Sequence, residues 1–260
     1  MATFLFNDII FGPVKSRRLG VSLGINLLPT KRKICNFDCI YCECGWTRDI
    51  EIPASRPPSR EEVFYALDLK LSELKKKSRS PDVLTYAGNG EPTLHPDFPG
   101  IIDDCIILRD KYFPKARIAV LSNATTISDP LVRAALLKVD QNILKLDSAF
   151  EATIKLHNRP RVNINVEDLI NNLIGFGGKV IIQTLFLRGT YDGHVVDNTT
   201  QAELAAWLEA LKRIRPSEVM IYTISRDTPE GSELNKVPVS ELKGIAAMVE
   251  SIGIKTQVSG

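Results

Sequence analysis

Along the chain, short apolar runs rich in Val, Ile and Leu alternate with longer stretches whose apolar residues recur at helical spacing. The runs predict strands at GVSLGINLL (20–28), DVLTYAG (82–88), RIAVLSN (117–123), NILKLD (142–147), KVIIQTLFL (179–187) and EVMIYTI (218–224), with a short last strand in GIKTQVS. Strands this continuously apolar suit a parallel sheet covered on its outer face. The helical stretches are REEVFYALDLKLSELKKK, PDFPGIIDDCIILRDKY, DPLVRAALLK, NVEDLINNLIGF, TQAELAAWLEALKRI and SELKGIAAMVESI. Ser59 is a good N-cap for the first, which carries acidic residues in its first turn and lysines in its last. The alternation makes about six βα units, so an α/β fold whose parallel sheet forms an open barrel. No linker, repeat or low-complexity segment divides residues 1–260, which are expected to form one domain.

In parallel βα architectures, ligands gather at the C-terminal ends of the strands. Four loops follow the first four predicted strands: a cysteine-rich loop, GNGEPTLH, SNATT and DSAFE. All four are expected to open onto one face.

Composition narrows the function classes. At 260 residues, 44% hydrophobic and 25% charged, the chain has a globular balance and can bury a core without disulfide staples. Four of its five cysteines fall within ten residues, which is not the layout of a secreted disulfide scaffold. The segment MATFLFNDIIFG has no basic stretch and carries Asp8 inside its apolar run, and no apolar run approaches the roughly 18 residues that span a bilayer. A cytoplasmic protein with no membrane partner is expected. A net charge of +2 is too mild to identify a nucleic-acid binder, although KSRR (15–18) and KRK (31–33) form basic clusters. Such clusters serve either as solvated loops or as anion sites.

The chemistry concentrates in CNFDCIYCECG, where Cys35, Cys39 and Cys42 form a C-x3-C-x2-C array and Cys44 adds a fourth thiol. A structural zinc site draws four ligands from two separated knuckles, and Cys105, alone in a helical stretch, supplies no second one. A redox C-x-x-C leaves Cys35 unexplained. A [4Fe–4S] cluster takes thiolates on separate irons, so a wrapping loop of close cysteines suits it. With three thiolates, one iron keeps an open position for a cofactor or substrate. Cys44 as a fourth ligand would block that position, so it reads better as a bystander thiol.

The array resembles that of the radical S-adenosylmethionine (SAM) superfamily. The resemblance implies a parallel partial (β/α)6 barrel and places Tyr41 against the adenine of SAM. It also implies that Gly88, Gly90 and Glu91, in YAGNGEPTLHPDF, stand for the Gly-Gly-Glu motif, with Asn89 replacing a glycine and Glu91 receiving the methionine ammonium. Ser122 and Asn123, ending the third strand, are placed to meet the methionine carboxylate or the ribose; Lys145 and Asp147, ending the fourth, are assigned similar contacts. Gln183 and Thr184 are polar residues in a buried-looking strand, facing the barrel interior or each other. Tyr222 and Arg226 are weaker candidates of the same kind. His95 reads as a hydrogen-bonded loop residue, and Asn158 and Arg159 as a helix-terminal loop or substrate contacts.

Beyond the array, FGPVKSRRLGVSLGINLLP, LKLDSAF with HNRP, IIQTLFLRG and IYTISRDTP together resemble the short wyosine-synthase-like iron–sulfur proteins. The resemblance implies a [4Fe–4S] cluster that reduces SAM, giving methionine and a 5′-deoxyadenosyl radical that abstracts hydrogen from substrate. An electron donor of flavodoxin or ferredoxin type is implied, and a tRNA or a protein as substrate. The related tRNA enzymes hold a second cluster on cysteines upstream, and no cysteine precedes Cys35, so their tricyclic-base reaction does not carry over. Alternatives are a glycyl-radical enzyme activase, a small-molecule radical enzyme and a zinc-stabilised binding module.

Overall fold

The structure is a computed structural model that describes residues 4–47, 56–225 and 233–260. Its strands are β1 (Ile10–Ser16), β2 (Gly20–Ile25), β3 (Val83–Tyr86), β4 (Arg117–Ser122), β5 (Gln141–Lys145), β6 (Ile181–Tyr191), β7 (His194–Asp197), β8 (Glu218–Thr223), β9 (Leu234–Lys236) and β10 (Lys255–Ser259). Helices are α1 (Arg60–Lys76), α2 (Phe98–Tyr112), α3 (Pro130–Leu136), α4 (Glu151–His157), α5 (Val166–Ile174), α6 (Gln201–Ile214) and α7 (Val239–Ser251). The main sheet runs β1-β2-β3-β4-β5-β6-β8-β10, parallel throughout except for the β1–β2 pair. A sheet that adds strands in chain order on one side, each after a helix, coils into the predicted open barrel. Ser59 opens α1 with a full capping box, its side chain accepting from Glu62 N–H while the Glu62 carboxylate accepts from Ser59 N–H.

The period of two along each strand sorts side chains onto two faces. Leu23, Ile25, Leu84, Tyr86, Ile118 and Val120 point toward the helices and join the large core. The alternating positions Val83, Ala119, Ile143, Ile181 and Met220 close around Leu19 in a small inner cluster. Leu19 comes from the β1–β2 turn, so this cluster plugs the barrel at the N-terminal ends of the strands. The basic run KSRR therefore belongs to the floor of the barrel, not to the mouth where the cysteine loop lies.

Several elements depart from the pattern-based expectation. β1 escapes the pattern because Gly12 and Pro13 interrupt IFGPVKS; Pro is tolerated there since β1 is an edge strand. The strand predicted over 20–28 stops at Ile25, because the Asn26 side chain donates to Leu28 O (2.9 Å) and accepts from Leu28 N–H (3.3 Å), turning the chain locally. The predicted loop DSAFE runs directly into a short helix, α4. β7 and β9 pair antiparallel with the far end of β6, which outgrows the parallel sheet. Among the described residues, no helix is long and apolar enough to cross a membrane.

Candidate functional site

The cysteine loop leaves β2 and lies over the C-terminal strand ends, pinned from below. Glu91 N–H donates to Ile34 O (3.0 Å) and Ile34 N–H to Asn89 O (2.9 Å), so the loop and the GNGE turn grip each other. Only glycine fits at position 90: φ is +133°, and a Cβ would stand 1.8 Å from Ile34 O. At Gly88 a Cβ would run into the Asn26 side chain. Asn89, fully buried, ties the turn to the N-terminal segment by accepting from Phe6 N–H (2.8 Å) and donating to Phe6 O and Pro29 O (2.9 Å each). The residue that departs from Gly-Gly-Glu thus serves as a clasp for residues 4–11.

Around the thiols the neighbours are hydrogen-bond donors. Phe37 N–H and Asn123 Nδ2 approach Cys35 Sγ at 3.4 and 3.6 Å, and Asn158 Nδ2 approaches Cys39 Sγ at 3.4 Å. Lys33 is 4% exposed, donates to Asp38 Oδ1 (3.2 Å) and Gly45 O (2.9 Å), and acts electrostatically on Cys35, Cys39 and Cys42 together. Its burial sets it apart from exposed Lys31 in the same KRK cluster. Burial pushes the Cys35 thiol up to about 12 and raises Cys39 as well. Cys42 goes the other way, lowered by its neighbour Cys44 and by the ammonium of Lys33. Cys44 also reaches Gly88 O at 3.4 Å. Among the described residues, no three His, Cys, Asp or Glu side chains gather as a site for a single metal ion.

Glu91 is 2% exposed and ends β3's loop as the N-cap of a 3-10 turn, Pro92–Leu94. Its carboxylate accepts from Thr93 N–H (3.1 Å), Thr93 Oγ1 (2.6 Å) and Asn123 N–H (2.6 Å). Burial raises its pKa, and these donors oppose the rise. Asn123 also donates to Asn36 Oδ1 (2.7 Å), so it links Glu91 to the cysteine loop. The Ser122 hydroxyl accepts from Ala124 N–H (3.0 Å), capping the turn, and also bonds the Glu91 carboxylate.

A second network joins Tyr41, Lys145, Asp147 and Asn158. The Tyr41 hydroxyl donates to Asp147 Oδ2 and accepts from Lys145 Nζ (2.9 Å) and Asn158 Nδ2 (2.8 Å). Asp147, whose side chain is wholly buried, further accepts from Asn158 (2.8 Å) and from Leu185 N–H (3.0 Å). Burial would raise its pKa, but Lys145 and these donors hold it below the ordinary carboxylate range. Close by, His157 is buried and, among the described residues, neither ring nitrogen has a hydrogen-bond partner; burial lowers its pKa to about 4.

The remaining candidates divide. Gln183 faces the barrel interior and accepts from Arg18 (3.3 Å), while Thr184 faces the helices, donating to Leu146 O (2.7 Å) and accepting from Trp207 Nε1 (3.1 Å). Tyr222 lies under the Arg18 guanidinium, 4.5 Å from its ring centre. His95 is satisfied in its loop by Pro58 O (2.7 Å) and Asp97 N–H (3.1 Å). Arg159 packs on the rings of Trp46 and Tyr191. Arg226 lies outside the described residues. Along the inner face of β2 and β3, a cavity of about 690 Å³ runs from Glu43 in the cysteine loop past Gly24 and Ala87 to Arg18 at the floor.

Residues 32–202 match the radical SAM superfamily model. A UPF0026 protein of Methanocaldococcus jannaschii is 32% identical over 251 residues, which cover 94% of this chain and 72% of that protein. A Brachyspira hyodysenteriae protein named GTPase Obg is 29% identical over 84% of this chain, which spans only 30% of that relative's length. The crystal structure of a radical SAM methyltransferase from Sphaerobacter thermophilus superposes with a TM-score of 0.66 over 92% of this chain and 65% of its own. At 12% identity that likeness is one of fold alone.

Proposed function

The chain belongs to the radical SAM superfamily, and on that premise we propose that Cys35, Cys39 and Cys42 hold a [4Fe–4S] cluster beside a SAM site built on Glu91. The observation that carries this reading is the setting of the three thiols: free, partly or wholly buried, ringed by N–H donors and sharing one buried ammonium, Lys33. Such a donor set suits a group that takes several thiolates and carries negative charge. When bound, the cluster supplies the electron for reductive cleavage of SAM, and the resulting carbon radical abstracts hydrogen from a substrate.

The chain's own residues divide the work of holding these groups. Glu91 is held in place by Thr93, Asn123 and Ser122, and the charge of a bound ammonium would hold its buried carboxylate ionised. Gly90 lets the backbone pass close under the loop, and Asn123 keeps Glu91 and Cys35 in fixed relation. Lys145, half-buried above the Tyr41 ring, keeps N–H capacity for a carboxylate or ribose oxygen. Asp147 is spent on Tyr41, Asn158, Lys145 and Leu185, so it positions the loop. Cys44, whose thiol donates to Gly88 O (3.4 Å), stays outside the ligand set. Enzymes of this superfamily need a reductant, here a small protein of flavodoxin or ferredoxin type, and the 260 residues act as one core domain.

Iron and sulfide analysis of anaerobically reconstituted protein tests the assignment. About four irons and four sulfides per chain are expected, with loss of bound iron in Cys39→Ala and retention in Cys44→Ala. Protein that takes up one zinc and never assembles iron and sulfide would overturn it.

A further inference from the structure

Lys15 and Arg18 line the cavity that starts beneath the cysteine loop, and among the described residues neither has an Asp or Glu side chain at ion-pair distance. That is unusual for a half-buried arginine, since enclosed charges are ordinarily paired. Arg18 uses one N–H on Gln183 and lays its plane on Tyr222, leaving most of its donor fork unspent. Arg17 is different: it is occupied by Gly260 O and Ser225 Oγ (2.6 Å), which pins the β1–β2 turn across to the other edge of the sheet. Gln257 Nε2 donates to Arg18 O (3.0 Å) and secures the same turn. Arg18 is therefore held in place by the fold, with exposed Lys15 beside it on the cavity lining.

The rest of the cavity has a different chemistry. Its inner wall is made of small residues, Gly24 and Ala87 among them, with Ser22 and Thr85 hydroxyls bonded to each other at 2.7 Å. Its outer wall is aromatic: Phe11 covers Gly24, Phe6 stacks on Phe11 (3.7 Å between ring centres), and Phe4 meets Phe6 edge-on. The Asn89 clasp holds this wall, since it grips Phe6 through both backbone groups. At the far end, Phe4 N–H donates to Glu43 O (3.0 Å), so the wall is also joined to the cysteine loop.

Resting on the radical SAM reading, we infer that this cavity is the substrate site and that its substrate is a small organic phosphomonoester with a flat or apolar body. The phosphate would meet Arg18 and Lys15 at the floor, the body would lie between the small-residue wall and the phenylalanines, and the reacting carbon would face the cysteine loop. Two cations match a dianion, and a guanidinium fork matches phosphate oxygens. A volume of about 690 Å³ accommodates a whole small molecule. The cations sit at the opposite end of the barrel from the cysteine loop, so an RNA backbone at the mouth would not reach Arg18.

Calorimetric titration of the reconstituted holoprotein with phenyl phosphate tests this, with phenol, inorganic phosphate and a short RNA oligonucleotide as separate arms. Phenyl phosphate should bind more tightly than phenol or inorganic phosphate. Arg18→Met should weaken it about tenfold, with partial rescue in Arg18→Lys. Lys15→Glu, a change at an exposed site that spares folding, should weaken it by a smaller factor. Equal affinity in all variants, or Arg18-dependent binding of RNA but not phenyl phosphate, would overturn the inference. Protein that cleaves SAM but ignores phenyl phosphate removes only this inference. Protein that binds phenyl phosphate through Arg18 yet never cleaves SAM removes the radical reading and leaves an anion site.

Discussion

At the mouth of the barrel Asp147 and Glu91 are tied into closed hydrogen-bond networks, whereas at the floor two cations line a cavity and, among the described residues, neither has a carboxylate at ion-pair distance. Asp147 alone collects Tyr41, Asn158, Lys145 and Leu185, and Glu91 collects Thr93 and Asn123. Arg18, by contrast, has a glutamine and an aromatic ring. The difference separates two tasks. A closed network fixes geometry and lets go of stability steeply when broken, while an open pair of charges contributes little to folding and waits for a ligand.

The comparison can be broken most sharply at Asp147. Asp147→Ala leaves a buried ammonium and several donors without an acceptor, and is expected to cost about 3–5 kcal/mol in denaturant unfolding. Arg18→Met should cost under about 1 kcal/mol by the same measurement; similar losses for both would erase the distinction between the two ends.

The next effect belongs to His157, at the mouth. Its folded pKa of about 4 lies below the ordinary 6.5, so between those values the unfolded chain takes up a proton that the folded chain refuses. Its contribution is therefore complete above pH 6.5 and is lost as pH falls toward 4, a change on the order of 3 kcal/mol. Unfolding curves across that window should show the decline, and His157→Gln should flatten it. Gly90→Ala comes next, since the added Cβ meets Ile34 O at a φ of +133°. A loss of about 2 kcal/mol or more is expected, together with weakened iron retention, because the same contact seats the cysteine loop.

Lys33→Met gives the most specific expected change. Removing a buried positive charge beside the three thiols makes it harder to add an electron there, so the midpoint potential should fall by something on the order of 100 mV. An unchanged potential would mean that Lys33 serves only Asp38 and Gly45 O.

Much of this is legible in the sequence. Strand periodicity and helix caps give the order of βα units, and C-x3-C-x2-C with GNGE after it marks the mouth. Those signals are local, carried by residues close together in the chain. The features that stay hidden depend on contacts across long separations. Asn89 looks like a lapse in a glycine motif until its side chain meets Phe6, 83 residues away. Arg18 cannot be assigned to one end of the barrel from its charge cluster, which carries no direction; the β1–β2 turn, hidden along with β1 itself, puts it at the floor. Lys33 reads as one of three basic residues in a loop, and nothing in KRK distinguishes the buried one from exposed Lys31. Thr184 and Gln183 are adjacent, so they point to opposite faces and do not satisfy each other.

The central claim is that the three-cysteine end performs SAM cleavage. The most direct measurement is 5′-deoxyadenosine formation by reconstituted, reduced protein supplied with SAM, in the wild type and in single cysteine variants. Product is expected from the wild type and from Cys44→Ala, and none from Cys35→Ala, Cys39→Ala or Cys42→Ala. A wild-type protein that carries its full iron and sulfide but leaves SAM intact, or cleavage that survives loss of Cys39, would contradict it.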